Sequence, residues 1–489
     1  MPINSFLLPG AKVPPPWSIS NSCKFDRASS AYMDKSSGTS SNNDIYTISF
    51  WMKRGGIEIS DNIIFSVYKD GNNRAKIGIG PADSGADRDH KLELYDWYGG
   101  SQILNQIVNV TLKDPASWYH ICIRVDTTQS TANDRVRVYI NGVDQASNIT
   151  RTTTPNQNQN LGFQETTASN QWRIGSHNGG GDYFDGYLAE VVYCDGQSYA
   201  PTQFGEFDDD SPTIWKPIKI SGLTFGTNGF YLDFQDSSYL GNDANGGTDF
   251  AENNIVAADQ ATDTPQNNFC TMNPMDNYYT VNSFLEGNCT VTTASSGYTG
   301  AQATMGVAAG KWYFEFKPIS KTGDGDEYAV GVVGEPFVGT GQSTWHPGTG
   351  YAYVGSNGGT YNNDAVDTSG YGNTYTAGDI IGVALDVTNS KLYWSKNGSW
   401  QNSGDPTSGS TGTGAEAITA VASTPTGFYT PSCAFVANAA SATIGMNFGG
   451  CPPFAISSGN SDANGYGNFE YAVPSGYYAI CTKNLAEYG

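Results

Sequence analysis

The sequence is short of charge. Only 15% of its 489 residues are Asp, Glu, Lys or Arg, and bases are the scarcer kind: 25 Lys and Arg stand against 47 Asp and Glu, a net charge of −22. Nucleic-acid phosphates and anionic membranes repel such a polyanion, and no basic run offsets this, so nucleic-acid binding is not expected. Long runs of the helix formers Ala, Leu, Glu and Lys are missing. No segment approaches the ~18 apolar residues of a membrane span. The four histidines, His90, His120, His177 and His346, are isolated and lack the i,i+4 spacing of a helical metal site. The eight cysteines form no C-x-x-C pair, which argues against a zinc or redox motif. They read as thiols packed as small apolar groups. A G-x-S-x-G nucleophile elbow is absent, and NGGGDYF (178–184) follows no phosphate-loop pattern. No metal and no cofactor is expected. The opening residues, MPINSFLLPGAKVPPP, lack the basic start, apolar core and cleavage site of a signal peptide. The expectation is a chain folded in the cytoplasm where it is made.

What the sequence does have is Gly (59 residues), Tyr (30) and β-branched and aromatic residues spread along its length. That composition, with frequent Asn-Gly turns, points to an all-β protein. In YHICIRVD (119–126), Tyr119, Ile121, Ile123 and Val125 share one face. In RVRVYING (135–142), Val136, Val138 and Ile140 do so, while Arg135, Arg137 and Tyr139 face away. Such alternation is the pattern of an antiparallel sheet with one buried face, and Asn141-Gly142 suits a type I′ hairpin turn. KLYWSKNG (391–398) repeats the grammar, with Leu392 and Trp394 expected in a core.

The chain divides into a Pro-rich N-terminal arm (1–20), a β-rich block (21–210), a Gly/Asn-rich connector (211–275) and a second β-rich block (276–489). The expected architecture is two antiparallel β-sandwiches of the jelly-roll or lectin-like kind, joined by the connector. The acidic junction GEFDDDSP (205–212) reads as a solvated domain edge.

Glycan cleavage would need two carboxylates across a cleft, about 5–9.5 Å apart. The candidates are Asp182, Asp185, Glu190, Glu315 and Glu327, and the pattern fixes no pair among them. No catalytic residue is therefore assigned. For binding, aromatics beside polar turns suit sugar faces and wet protein contacts. The loop HNGGGDYF offers Asp182 and Tyr183, and STWHPGTGYAY (343–353) offers Trp345, His346 and Tyr351.

Specific stretches carry resemblances. GKWYFEFK (310–317), YAVGVVG (328–334), AGDIIGVALDVTNSKLYWSKNG (377–398) and FYTPSCAFVANAASATIGMNFG (428–449) resemble the SPRY domain. That implies a two-sheet sandwich whose end loops bind protein partners. TISFWMKR (47–54), ASWYHICIRVD (116–126), RVRVYINGV (135–143) and DGYLAEVVYCDGQSYAPTQFGEF (185–207) resemble a laminin-G/concanavalin-A-like sandwich, whose members bind glycans or proteins. The connector stretch TDFAENNIVAADQATDTPQNNFCTMNPM (248–275), followed by a SPRY-like block, looks like virion proteins of tailed phages. This resemblance implies a structural protein of the virion, assembled in the host cytoplasm. Its role would be that of a tail fibre or appendage adhesin that contacts the host surface without catalysis. The arm would dock onto other virion proteins, and the chain would be a homo-oligomer, with a trimer expected. The alternatives are a capsid decoration or tail adaptor, and an envelope glycan-degrading enzyme.

Overall fold

The structure, a computed structural model, describes residues 17–57, 61–80, 88–164, 171–177, 181–276, 282–293, 297–322, 327–337, 343–437 and 441–489. The arm up to residue 16 lies outside these, as do residues 178–180 of the first candidate loop. The described chain is built almost wholly of antiparallel sheets, with a single short α-helix at Thr482–Tyr488.

The first sandwich packs two eight-stranded sheets. In the first sheet Ile45–Arg54 lies between Trp118–Asp126 and Gly186–Asp195. Tyr46, Ile48, Phe50 and Met52 point into the core, with Ile121, Ile123, Val125, Val136 and Val138 from the neighbouring strands. In the second sheet the order is Ser101–Thr111, Lys91–Tyr98, Asn73–Ile79, Asn62–Asp70, Gln171–Ile174 and Tyr32–Ser36, flanked by Ile149–Thr153 and Ala251–Asn253. Its inward residues, among them Leu92, Leu94, Ile77, Phe65, Val67 and Trp172, close the core. Asn141 and Gly142 turn the hairpin with φ of 48° and 74°, as the type I′ reading requires.

The second sandwich packs a nine-stranded sheet on a six-stranded one. Trp312, Phe314 and Phe316 pack with Val383, Leu385, Leu392 and Trp394. The Trp394 indole N–H donates across the core to the Val330 carbonyl at 3.0 Å. Asn397 and Gly398 repeat the positive-φ turn, at 48° and 79°. All eight cysteines are buried and unpaired.

The stretch read as a connector is woven into the sheets. Phe230–Leu232 pairs with Gly186–Asp195, Ala251–Asn253 with Tyr32–Ser36, and Gln260–Ala261 with Ser22–Phe25. Residues 262–269 then run between the two sandwiches. There the Lys53 ammonium is fully buried and donates to Asp263 Oδ2 (2.7 Å), Asn268 Oδ1 (2.7 Å) and the Phe269 carbonyl (2.9 Å). Asp263 Oδ1 accepts from the Trp118 indole at 2.9 Å. Around this centre Asn288 Nδ2 donates to the Gly55 carbonyl (3.1 Å), Tyr187 Oη to the Gly287 carbonyl (3.1 Å), and Lys24 pairs with Glu286. Ile19, Trp51, Trp118, Tyr187, Trp215 and Cys451 form the apolar part of the junction.

Removing one partner of a buried ion pair leaves the other charge uncompensated. Asp263→Ala is therefore expected to cost about 3–5 kcal/mol of stability, read as a lower urea midpoint. Lys53→Met combined with Asp263→Leu is expected to recover part of that loss. A single variant with an unchanged midpoint would mean that the pair does not hold the junction.

Candidate functional site

Each sheet of a sandwich turns one face to the core, and whatever lies on the other face decides where a ligand can reach. The outer face of the first sheet is covered. His120 alternates outward, as its strand pattern predicts, yet it is fully buried beneath Phe204 and Trp215. Its Nδ1 accepts from the Trp215 indole at 3.0 Å, its Nε2 lies 2.9 Å from Ser49 Oγ, and burial pushes its pKa down to about 3. The outer face of the nine-stranded sheet is covered by the C-terminal segment, where Phe469, Tyr477, Ala479 and Cys481 bury Tyr313 and Tyr393. On the six-stranded sheet Trp345 lies over Ala329, Ala352, Val354 and Ala434.

The outer face of the second sheet of the first sandwich is different. Over the strands Lys91–Tyr98, Asn73–Ile79 and Asn62–Asp70 it forms an open groove of about 400 Å³, lined by Asp61, Arg74, Lys76, Arg88, Tyr95, Trp97 and His177. This volume is within the usual ~300–1,000 Å³ of a ligand site. Strand register builds it. Trp97, Arg74, Tyr68 and Gln171 form one cross-strand row, and Tyr95, Lys76, Ser66 and Arg173 form the next. The Arg74 guanidinium lies 5.2 Å from the Trp97 ring centroid and Lys76 Nζ lies 5.4 Å from that of Tyr95. Further along the face Arg173 lies 4.5 Å from the Tyr32 ring. Contacts of this kind hold a cation in place at about 0.5–1 kcal/mol each on an exposed surface.

Asp61 is the groove's carboxylate. It sits 3.3 Å from Lys76 Nζ and 3.1 Å from Arg88 Nη2, and Arg88 reaches Glu93 on its other side at 2.7 Å. The segment after Gln171–Ile174 folds over the strand ends: Ser66 Oγ donates to the Ser176 carbonyl at 2.8 Å, and Ile63 N–H to the Asp182 carbonyl at 3.1 Å. This sets the His177 ring 6.2 Å from Tyr68, edge to face. Partial burial, then Lys76, Arg74 and Arg173, lower the His177 pKa against the opposing pull of Asp182.

Of the residues proposed from sequence, Asp182 and Tyr183 therefore lie beside this groove. Asp182 carries a positive φ of 55°, and the Tyr183 ring is 6.3 Å from Tyr32. Trp345, His346 and Tyr351 belong to the other sandwich. The expectation of exposed aromatics there is corrected: Trp345 is 3% and Tyr351 6% exposed. Tyr351 Oη accepts from Thr419 N–H at 3.0 Å, so the ring braces a loop. His346 Nδ1 lies 2.9 Å from Ser343 Oγ and its Nε2 3.5 Å from Asp364, but Ser343 is fully buried and its oxygen cannot meet a substrate. Arg74, Lys76, Tyr95 and Trp97 were missed. The signal was available, because all four alternate with the core residues Ala75, Ile77, Leu92 and Leu94.

The candidate carboxylates are dispersed. Glu315 does point away from the aromatic core, but it is buried. It accepts from Tyr313 Oη (3.2 Å), Tyr471 N–H (2.8 Å), Glu470 N–H (3.0 Å) and Asn447 Nδ2 (3.1 Å). Glu190 is buried against Tyr231 Oη, which donates to it at 2.6 Å, and Glu327 accepts from Ser356 at 3.2 Å. Asp185 Oδ2 accepts from Gly56 N–H at 2.9 Å, and burial raises its pKa to about 7.

Asp185 gives a pH test. The native state keeps this proton up to about pH 7, whereas an unfolded Asp loses it near pH 4. Between these values the native state binds more protons, so stability falls as pH rises. Relative to Asp185→Asn, the wild type is expected to lose on the order of 3 kcal/mol between about pH 4 and pH 7. Parallel stability profiles from urea titrations across that range would refute the buried-acid assignment.

Two family profiles agree with this architecture. Residues 27–196 match the family profile of the concanavalin A-like lectin/glucanases superfamily, and residues 311–423 match that of the SPRY domain. No curated protein matches the chain. Among solved structures, a putative carbohydrate binding protein from Bacteroides ovatus is similar at 17% identity and a TM-score of 0.33, covering 49% of this chain and 59% of that one. The SAP-like pentraxin of Limulus polyphemus is similar at 16% identity and a TM-score of 0.27, covering 38% of this chain and 81% of that one. The SPRY domain of human HERC1 is similar at 17% identity and a TM-score of 0.26, covering 34% of this chain and 89% of that one. The chain thus carries a concanavalin A-like lectin/glucanase-superfamily domain followed by a SPRY domain.

Proposed function

We propose that this chain is a non-catalytic adhesin of a tailed-phage particle, part of a tail fibre or similar appendage, whose first sandwich holds a glycan of the host surface. The observation that carries this reading is the groove over Asn73–Ile79 and Lys91–Tyr98, an open, polar and aromatic sheet face, whereas distant segments pack on much of the other outward faces among the described residues. A rigid sheet presents fixed side chains at fixed spacing, which suits recognition of a repeating polymer. The resemblance of residues 248–275 and the SPRY-like block to phage virion proteins supports the setting. A structural part is supported by the buried junction around Lys53, where the two sandwiches are joined by an ion pair and packed apolar side chains. Binding without cleavage is favoured by the carboxylates: Asp61 is tied to two cations, and Asp185, Glu190 and Glu315 are buried.

Gold-labelled antibody against the chain, applied to intact particles and viewed by electron microscopy, tests the reading. Label at the tips of tail appendages is the expected result. Label over the head or along the tail shaft would make the chain a decoration or adaptor, and the adhesin reading would fall.

A further inference from the structure

We infer that the groove of the first sandwich takes an anionic saccharide, one bearing carboxylate or sulfate groups, and that Arg74 and Arg173 read those groups. The inference rests on the glycan-binding reading above and narrows its ligand. The first reason is where the rings are. A neutral sugar grips an aromatic side chain by stacking on its face. Here a cation lies against three of the rings on this face: Arg74 on Trp97, Lys76 on Tyr95 and Arg173 on Tyr32. The rings brace the cations, and the cations face the ligand.

The second reason is charge. The chain carries −22 overall with only 25 Lys and Arg, yet the groove lining holds Arg74, Lys76 and Arg88 against the single carboxylate of Asp61. An anionic polymer approaching this protein meets repulsion nearly everywhere, and a local cationic face is what lets it land. A neutral ligand would need no such concentration. The third reason is free valence. Asp61 and Glu93 occupy Arg88, and Asp61 also holds Lys76. Among the described residues no carboxylate lies within ion-pair distance of Arg74 or Arg173. Arg173 donates only to the His177 carbonyl and Gln171 Oε1, at 3.4 and 3.2 Å. The Arg74 guanidinium fork thus remains for bidentate contact with an acid group, and Arg173, whose Nε is buried, offers the remaining hydrogens of its two Nη atoms.

The test uses the full chain and titration calorimetry with oligomers of polygalacturonate, alginate, polysialate and sulfated dextran. Carboxyl-reduced forms of the first three and unsulfated dextran serve as neutral counterparts. At least one acidic oligomer is expected to bind, with affinity falling as salt rises, and its neutral counterpart to bind about tenfold more weakly or worse. Arg74→Gln and Arg173→Gln are each expected to weaken the acidic oligomer about tenfold. Their unfolding midpoints should change little, since neither side chain is fully buried or, among the described residues, held in an ion pair. Equal binding of acidic and neutral forms would overturn the acid-group inference and leave the glycan reading standing. Binding of none of the oligomers, acidic or neutral, would overturn both.

Discussion

The buried ammonium of Lys53 organises this molecule. A charge with no access to water must find its full set of acceptors inside the protein. Lys53 finds them in Asp263, Asn268 and the Phe269 carbonyl, all on the segment that passes from one sandwich to the other. Because the same carboxylate also takes the Trp118 indole, the segment is pinned across two neighbouring strands of the first sheet. The second sandwich then has one place to sit, against Trp51, Trp118 and Tyr187, with Gly287 and Asn288 closing the contact.

That docking has a consequence for binding. Two sandwiches have four outward sheet faces, and a face left wet is available to a partner. The second sandwich and the segment around Trp215 cover one, the C-terminal segment covers another, and Trp345 lies on a third. The open strands of the second sheet hold half-buried aromatics and a cluster of the chain's few bases. In an acidic protein such a cluster is an electrostatic exception: Lys76 and Arg88 are paired with Asp61, while the Arg74 guanidinium lies against the Trp97 ring.

Much of the fold is legible from local pattern. The alternation in 119–126 and 135–140 reports which residues enter the core, because a strand turns successive side chains to opposite faces. The turns at Asn141-Gly142 and Asn397-Gly398 are legible because few residues accept a positive φ. The segment 211–275 was harder. Its strands are three residues or shorter and add to the edges of existing sheets, so no window of sequence shows a period.

The sequence by itself therefore determined the fold class, the two sandwiches and which side of each long strand faces inward. Those follow from side-chain chemistry repeated at a spacing of two. It did not determine what becomes of the outward side. His120, Glu315 and Tyr393 alternate outward and are buried, whereas Arg74, Lys76 and Trp97 alternate outward and line an open groove. Locally the two cases look alike. The difference lies in whether a segment distant in the chain, such as residues 204–215 or 469–481, packs on top, and only the tertiary structure decides that.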